Sequence, residues 1–271
     1  MPIDFHDETN KQTYATRNAD ESWISLIKDT VDVSNKRIAD IGCGGGIYTK
    51  ALIKMGASHV VGVDFSDEML KGAANNCKNI QNVTFLKGDA YQSNLPANKI
   101  DIVLERALIH HLSDLHACFK EAFRILKDGG MLIVQDRTPA DCLLPGDESH
   151  IRGYFFEKFP QLMDKEISRR YASGQVQQAL ESNGLRLAKT VSHWETRRVY
   201  NDFQELNKDL LLRTGRSILH DLTDEELRDL ISFIEGKLNG SQPPIIEKDS
   251  WTVWFAIKEQ PLVLNVSEPS A

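Results

Sequence analysis

Between residues 20 and 137 the chain alternates two hydrophobic patterns: short unbroken apolar runs, and longer stretches whose apolar residues recur every three or four positions. The first pattern suits strands buried on both faces, the second amphipathic helices. Five strands are read this way: Arg37 to Ile41, His59 to Asp64, Val83 to Leu86, Ile100 to Leu104 and Met131 to Val134. Helices are expected after Asp20, from Tyr48 to Met55, after Ser66 and over 114–127. Asp20 and Ser66 carry side-chain oxygens that can accept from the free amides of a helix start. Asp128-Gly129-Gly130 is expected to end the helix over 114–127. Strands alternating with helices predict a doubly wound, mostly parallel sheet, with ligands at the strand ends and the loops after them.

After residue 137 the alternation breaks. Residues 138–165 hold Pro139, Pro145 and Pro160 among the aromatics Tyr154, Phe155, Phe156 and Phe159. A helix over 168–182 and a strand from Leu185 to Trp194 follow. Residues 201–238 read as two or more helices, one opened by the capping box Thr223-Asp224-Glu225-Glu226. Trp251 to Ile257 is the last strand, expected beside the strand near 190. The layout is then a cofactor-binding core with an N-terminal arm (1–137), an irregular cap segment (138–165) and a return to the core (166–200). A helical insertion over the active site (201–249), the last core strand (250–260) and a tail (261–271) complete it.

Composition narrows the function classes. A net charge of −7 sets the chain against phosphate backbones, so nucleic acid is not an expected partner. No apolar run approaches the ~20 residues of a membrane span, and the acidic N-terminus lacks a signal-peptide core. The four cysteines are far apart, with no CxxC pair. They suggest neither a structural metal nor a disulfide framework, and suit a reducing, cytoplasmic setting.

The chemistry gathers at the strand ends. Asp40-Ile41-Gly42-Cys43-Gly44-Gly45-Gly46 lies between the first strand and its helix, where glycines permit a tight turn and close ligand approach. Such a loop alone also suits nicotinamide or flavin cofactors. A dinucleotide fingerprint set on Gly42 and Gly44 needs glycine at 47, where this chain has Ile47. Asp64 ends the second strand, placed to accept from ribose hydroxyls. Asp89 follows the third and can accept from an adenine amino group. Each aspartate alone would read equally well as a cap or turn residue.

These segments, with Gly62-Val63-Asp64-Phe65-Ser66, Gly88-Asp89-Ala90, Leu126-Lys127-Asp128-Gly129-Gly130 and the stretch from Asp101 to Leu112, resemble the ordered motifs of class I S-adenosylmethionine-dependent methyltransferases. The resemblance covers residues 36–136 and the late strands. It implies a Rossmann-like sheet of seven strands with helical cap insertions, and S-adenosylmethionine as cofactor. Asp40, Gly42, Cys43, Gly44 and Gly46 would hold its methionine part, Asp64 its ribose, Phe65 and Met69 its adenine face, and Asp89 and Ala90 its adenine edge. Glu105 and Arg106 would lie beside the methionine or sulfonium end, and Tyr14 and Arg17 would fold over the cofactor. His110 is the candidate base; His110-His111 reads equally as a loop or helix start. No metal is called for. The expected partner is a small-molecule acceptor and the expected assembly a monomer or homodimer. A nicotinamide-dependent oxidoreductase and a non-catalytic S-adenosylmethionine-binding module are the rival classes.

Overall fold

The computed structural model describes residues 18–240 and 242–259. Seven strands form one sheet: β1 (Arg37–Ile41), β2 (His59–Asp64), β3 (Val83–Lys87), β4 (Ile100–Arg106), β5 (Leu126–Asp136), β6 (Leu185–Tyr200) and β7 (Ile245–Lys258). Their spatial order is β3-β2-β1-β4-β5-β7-β6. The first five are parallel, and β7 runs antiparallel between β5 and β6. The expected doubly wound, mostly parallel sheet is therefore the fold, with the two late strands adjacent.

Period-two alternation divides each apolar strand between two cores. Ile38, Val60, Ile102 and Leu104 face α1 (Glu21–Thr30) and α2 (Ile47–Lys54), against Trp23, Ile27, Ala51 and Leu52. Ala39, Ile41, Val61, Val63 and Val103 face the other side. There they meet α4 (Leu115–Ile125), which follows α3 (Asp67–Asn76) in the chain, and α8 (Ser173–Ser182). Capping follows the sequence closely. The Asp20 carboxylate accepts from Ser22 N at α1, and Ser66 Oγ from Met69 N at α3.

The short helices α5 (Pro139–Cys142), α6 (Gly153–Lys158) and α7 (Gln161–Ile167) precede α8; α9 (Phe203–Leu211) and α10 (Asp224–Lys237) lie between β6 and β7. The two cap segments, far apart in sequence, share one separate apolar core. Ile151, Phe155 and Leu162 pack with Leu206, Leu210, Leu230 and Ile234. The aromatics of 138–165 are thus chiefly cap core: Tyr154, Phe155 and Phe156 are buried.

Several boundaries differ from the sequence reading. The helix over 114–127 stops at Ile125, and Leu126 already pairs with Ile100 as the start of β5. Gly129 turns within β5 at φ +76°, where a register shift interrupts the ladder. The helix expected from 168 begins at Ser173. β6 and β7 run on to Tyr200 and back from Ile245, beyond the expected strands. Their added residues are charged because Glu247 and Asp249 are buried against arginines: Glu247 meets Arg197 and Arg216, and Asp249 meets Arg137. Arg197 and Arg216 both belong to this buried network. Among the described residues no helix is long and apolar enough to cross a membrane, and no group of three His, Cys, Asp or Glu side chains could hold a metal.

Candidate active site

The glycine loop is held by the strand beside it. Gly42 N and Cys43 N both donate to Val63 O, at 2.8 and 3.0 Å, so the turn out of β1 is fastened to β2. Gly42 and Gly46 have φ of +72° and +76°, a backbone region that L side chains adopt at a cost. Beneath the loop Gly62 has no room for a side chain. A Cβ there would sit 2.7 Å from the Phe85 ring and 2.9 Å from Cys43 Sγ. Gly62→Ala is expected to lower stability by roughly 1–3 kcal/mol through overpacking, read as a reduced thermal unfolding midpoint.

Asp64 closes the arrangement. One carboxylate oxygen accepts from Gly44 N and the other from Ser66 N, both at 2.9 Å. Each oxygen keeps a further lone pair for a ligand hydroxyl. Burial raises the Asp64 carboxyl above its usual range, against the pull of these amides. Asp89 lies at the end of β3, exposed, with Oδ1 accepting from Tyr91 N and Gln92 N at 2.7 and 2.8 Å. It shares a cleft of about 480 Å³ with Phe65, Lys87, Gly88, Gln92 and Asn94. Phe65 is 53% exposed at this cleft. Met69 and Ala90 are buried behind the surface, and so is Cys43, whose thiol burial pushes well up.

Two further carboxyls lie deeper. Asp40 is buried beside α2 and accepts from Thr49 Oγ1 at 2.6 Å; burial raises it to about 6. Glu105, 1% exposed, is raised to about 7, with burial the main cause and only the Cys118 thiol opposing it. Glu105 and Arg106 are consecutive in β4 and so point to opposite faces. Arg106 lies on the α2 side, 4.1 Å from the centre of the Tyr48 ring and 4.6 Å from that of Trp251, with NH2 2.6 Å from Glu195.

His110 occupies a single 3₁₀ turn, Ile109–His111, after β4. Its Nδ1 lies 2.8 Å from Asp136 Oδ2 at the end of β5, and its backbone amide donates to the same oxygen. Asp136 is buried. Burial alone would raise it, but His110 and Arg170 bring it down to about 2. Asp136 is therefore a carboxylate, which can only accept, so the proton between the two groups sits on Nδ1. The His111 ring lies tilted against that of His110, with centres 3.9 Å apart; burial and the neighbouring His110 lower His111 to about 4.

The structure thus gathers Asp40, Asp64, Glu105 and the glycine loop around the ends of β1, β2 and β4, with Asp89 and Phe65 at the outer cleft. His110 stands beyond the end of β4, against β5. Tyr14 and Arg17 lie outside the described residues. Sequence reasoning missed Asp136, although it ends β5 as Asp64 ends β2. The carboxylate closing an apolar run was the available signal. Arg170 and Glu195 carried none.

Residues 39–134 match the family model described as a methyltransferase domain. An uncharacterized methyltransferase, YcgJ, from Bacillus subtilis is 32% identical over 129 residues, 46% of this chain and 51% of the relative. A ubiquinone biosynthesis O-methyltransferase from Coxiella burnetii is 31% identical over 110 residues, 40% of this chain and 47% of the relative. The chain spans about half the length of the curated relatives it matches. A solved structure of a candidate methyltransferase from an antibiotic biosynthesis pathway in Anabaena variabilis superposes with a TM-score of 0.66. It is 21% identical, over 89% of this chain and 98% of that one.

Proposed function

We propose that this chain, whose residues 39–134 match a methyltransferase-domain family, transfers a methyl group from S-adenosylmethionine to a small-molecule acceptor. The observation that carries the reading is Asp64, which ties the glycine loop to β2 through Gly44 and still offers lone pairs to a ribose. The nearby carboxyls fit the same cofactor. Asp40 and Glu105 are buried acids raised by desolvation, and a ligand bearing an ammonium and a sulfonium supplies the missing positive charge. The cleft of Phe65 and Asp89 suits a flat, hydrogen-bonding base. The nicotinamide alternative lacks its third loop glycine, because position 47 is an isoleucine that opens α2.

S-adenosylmethionine, when bound, supplies a methyl group activated by its sulfonium. This chain's part is to hold the cofactor on the loop and orient an acceptor atom behind the methyl group, where positioning supplies much of the rate. The His110–Asp136 pair suits an acceptor that gives up a proton, such as a hydroxyl or amine. Nε2 takes that proton while Asp136 holds the ring in the required tautomer. The acceptor is taken to be small because the surface is acidic, and free buried cysteines support a cytoplasmic setting.

Calorimetry with S-adenosylmethionine and its demethylated product tests the cofactor, and no affinity for either sinks the reading. A panel of hydroxylated and amino acceptors with methyl-labelled cofactor then tests transfer. On an acceptor so found, His110→Gln is expected to slow transfer by about 10²–10⁴-fold and leave cofactor affinity unchanged. An unchanged rate would remove His110 as the base.

A further inference from the structure

We infer that Arg170 is a positioning residue that couples the cap to the His110 base. The inference rests on the methyl-transfer reading, in which His110 takes the acceptor's proton. Asp136 is buried and receives four donors: Nδ1 and the backbone amide of His110, Arg137 N, and Arg170 NH1 at 2.9 Å on Oδ1. Arg170 is the only one of these side-chain donors that comes from outside the sheet and the loop after β4. It lies between α7 and α8, so the orientation of Asp136 depends on a segment more than thirty residues away in sequence.

The other end of Arg170 is fixed to the cap. NH2 donates to Glu166 Oε1 at 2.7 Å, and Nε to the same oxygen at 3.2 Å. Glu166, in α7, also pairs with Arg152 at 2.8 Å. Burial opposes the charge on Glu166, but Arg152 and Arg170 hold its carboxyl far below the usual range. The next residue, Tyr171, donates its hydroxyl to Leu112 O at 2.7 Å, fastening the same segment to the loop that carries His110. A continuous charged chain therefore runs from Arg152 and Glu166 through Arg170 and Asp136 to His110. A guanidinium can bridge two carboxylates in this way because its donors form a rigid planar fork. Displacing α7 withdraws the charged donor from Asp136 Oδ1, leaves only Arg137 N and the imidazole beside that oxygen, and loosens the carboxylate against Nδ1. The base is then set only while the cap is seated.

The test reads the hydrogen bond directly and needs no acceptor. In the full chain labelled with ¹⁵N-histidine, the proton on His110 Nδ1 is assigned by its disappearance in His110→Gln. Its resonance is expected to be present in the wild type, lost to solvent exchange in Arg170→Gln, and only partly recovered in Arg170→Lys, which keeps the charge but not the planar fork that reaches both carboxylates. Glu166→Gln, which leaves Arg170 in place but loosens its anchor, is expected to broaden the signal. Persistence of the resonance in both Arg170→Gln and Glu166→Gln overturns the inference. If Arg170→Gln does not fold, Glu166→Gln alone decides by the same signal. Calorimetry with S-adenosylmethionine on each variant separates the two readings. Absent binding in the wild type defeats the methyl-transfer reading, whereas the histidine resonance answers for Arg170 either way.

Discussion

Glu105→Gln is expected to make the cofactor-free protein more stable at pH 8 and at the same time weaken its hold on S-adenosylmethionine. Glu105 is buried and its carboxyl is raised from 4.5 to about 7. The folded chain therefore binds a proton that the unfolded chain releases at lower pH, and stability falls as pH rises through that interval. A shift of this size corresponds to a penalty on the order of 3 kcal/mol above pH 7. Asp40, raised from 3.8 to about 6, adds a loss of the same sign over a lower range. Glutamine cannot ionise, and its amide oxygen can still accept from Cys118 Sγ. The variant should unfold several degrees higher than wild type at pH 8, at roughly 2–4 °C per kcal/mol for a chain of similar size, and match it near pH 4. Wild-type affinity for the cationic cofactor should fall as pH drops from 8 to 6, and that dependence should flatten in the variant. Equal unfolding midpoints at pH 8 would show that Glu105 carries no uncompensated charge.

The parallel core was legible in the sequence, and the region beyond β5 was less so. In β1, β2 and β4 the apolar runs are continuous because both faces are covered, so periodicity located them to within two residues. The glycine loop and Asp64 were legible because their roles are set by backbone amides that lie near in sequence or one strand away. The extension of β7 from Ile245 to Asp249 broke the rule. Glu247 and Asp249 are inside, paired with Arg216 and Arg137, which come from other parts of the chain. A polar residue buried against a distant partner looks like a surface residue until the fold supplies that partner. The same reason hid Arg170 and left His110 undecided. His110 reads as a base only once Asp136, 26 residues on, is seen against Nδ1. Arg106 shows the converse. The resemblance set it with Glu105 at the cofactor's methionine or sulfonium end; strand alternation puts the two side chains on opposite faces, with Arg106 against Glu195 and Trp251.

Asp64→Asn is expected to cost more cofactor affinity than any other single change at the loop. Both oxygens of Asp64 already accept a backbone amide, from Gly44 and from Ser66. Asparagine offers one oxygen and one NH2, so one of these amides would face another donor. The Gly44 turn would then lose its tie to β2 or the Ser66 turn its tie to the start of α3. The ribose would lose the carboxylate as well. Hydrogen bonds to a charged group contribute about 1.5–3 kcal/mol each; losing two corresponds to a drop in affinity of at least a hundredfold. Asp89→Asn provides the contrast. Asp89 is exposed and uses only Oδ1 to fasten its own turn, so an oriented amide can keep that contact. Its loss should be about tenfold, the effect of one hydrogen bond. Calorimetry with the demethylated product, which binds without turnover, measures both variants. If Asp64→Asn binds as tightly as Asp89→Asn, the ribose is not held at the end of β2, and the cofactor assignment built on Asp64 fails with it.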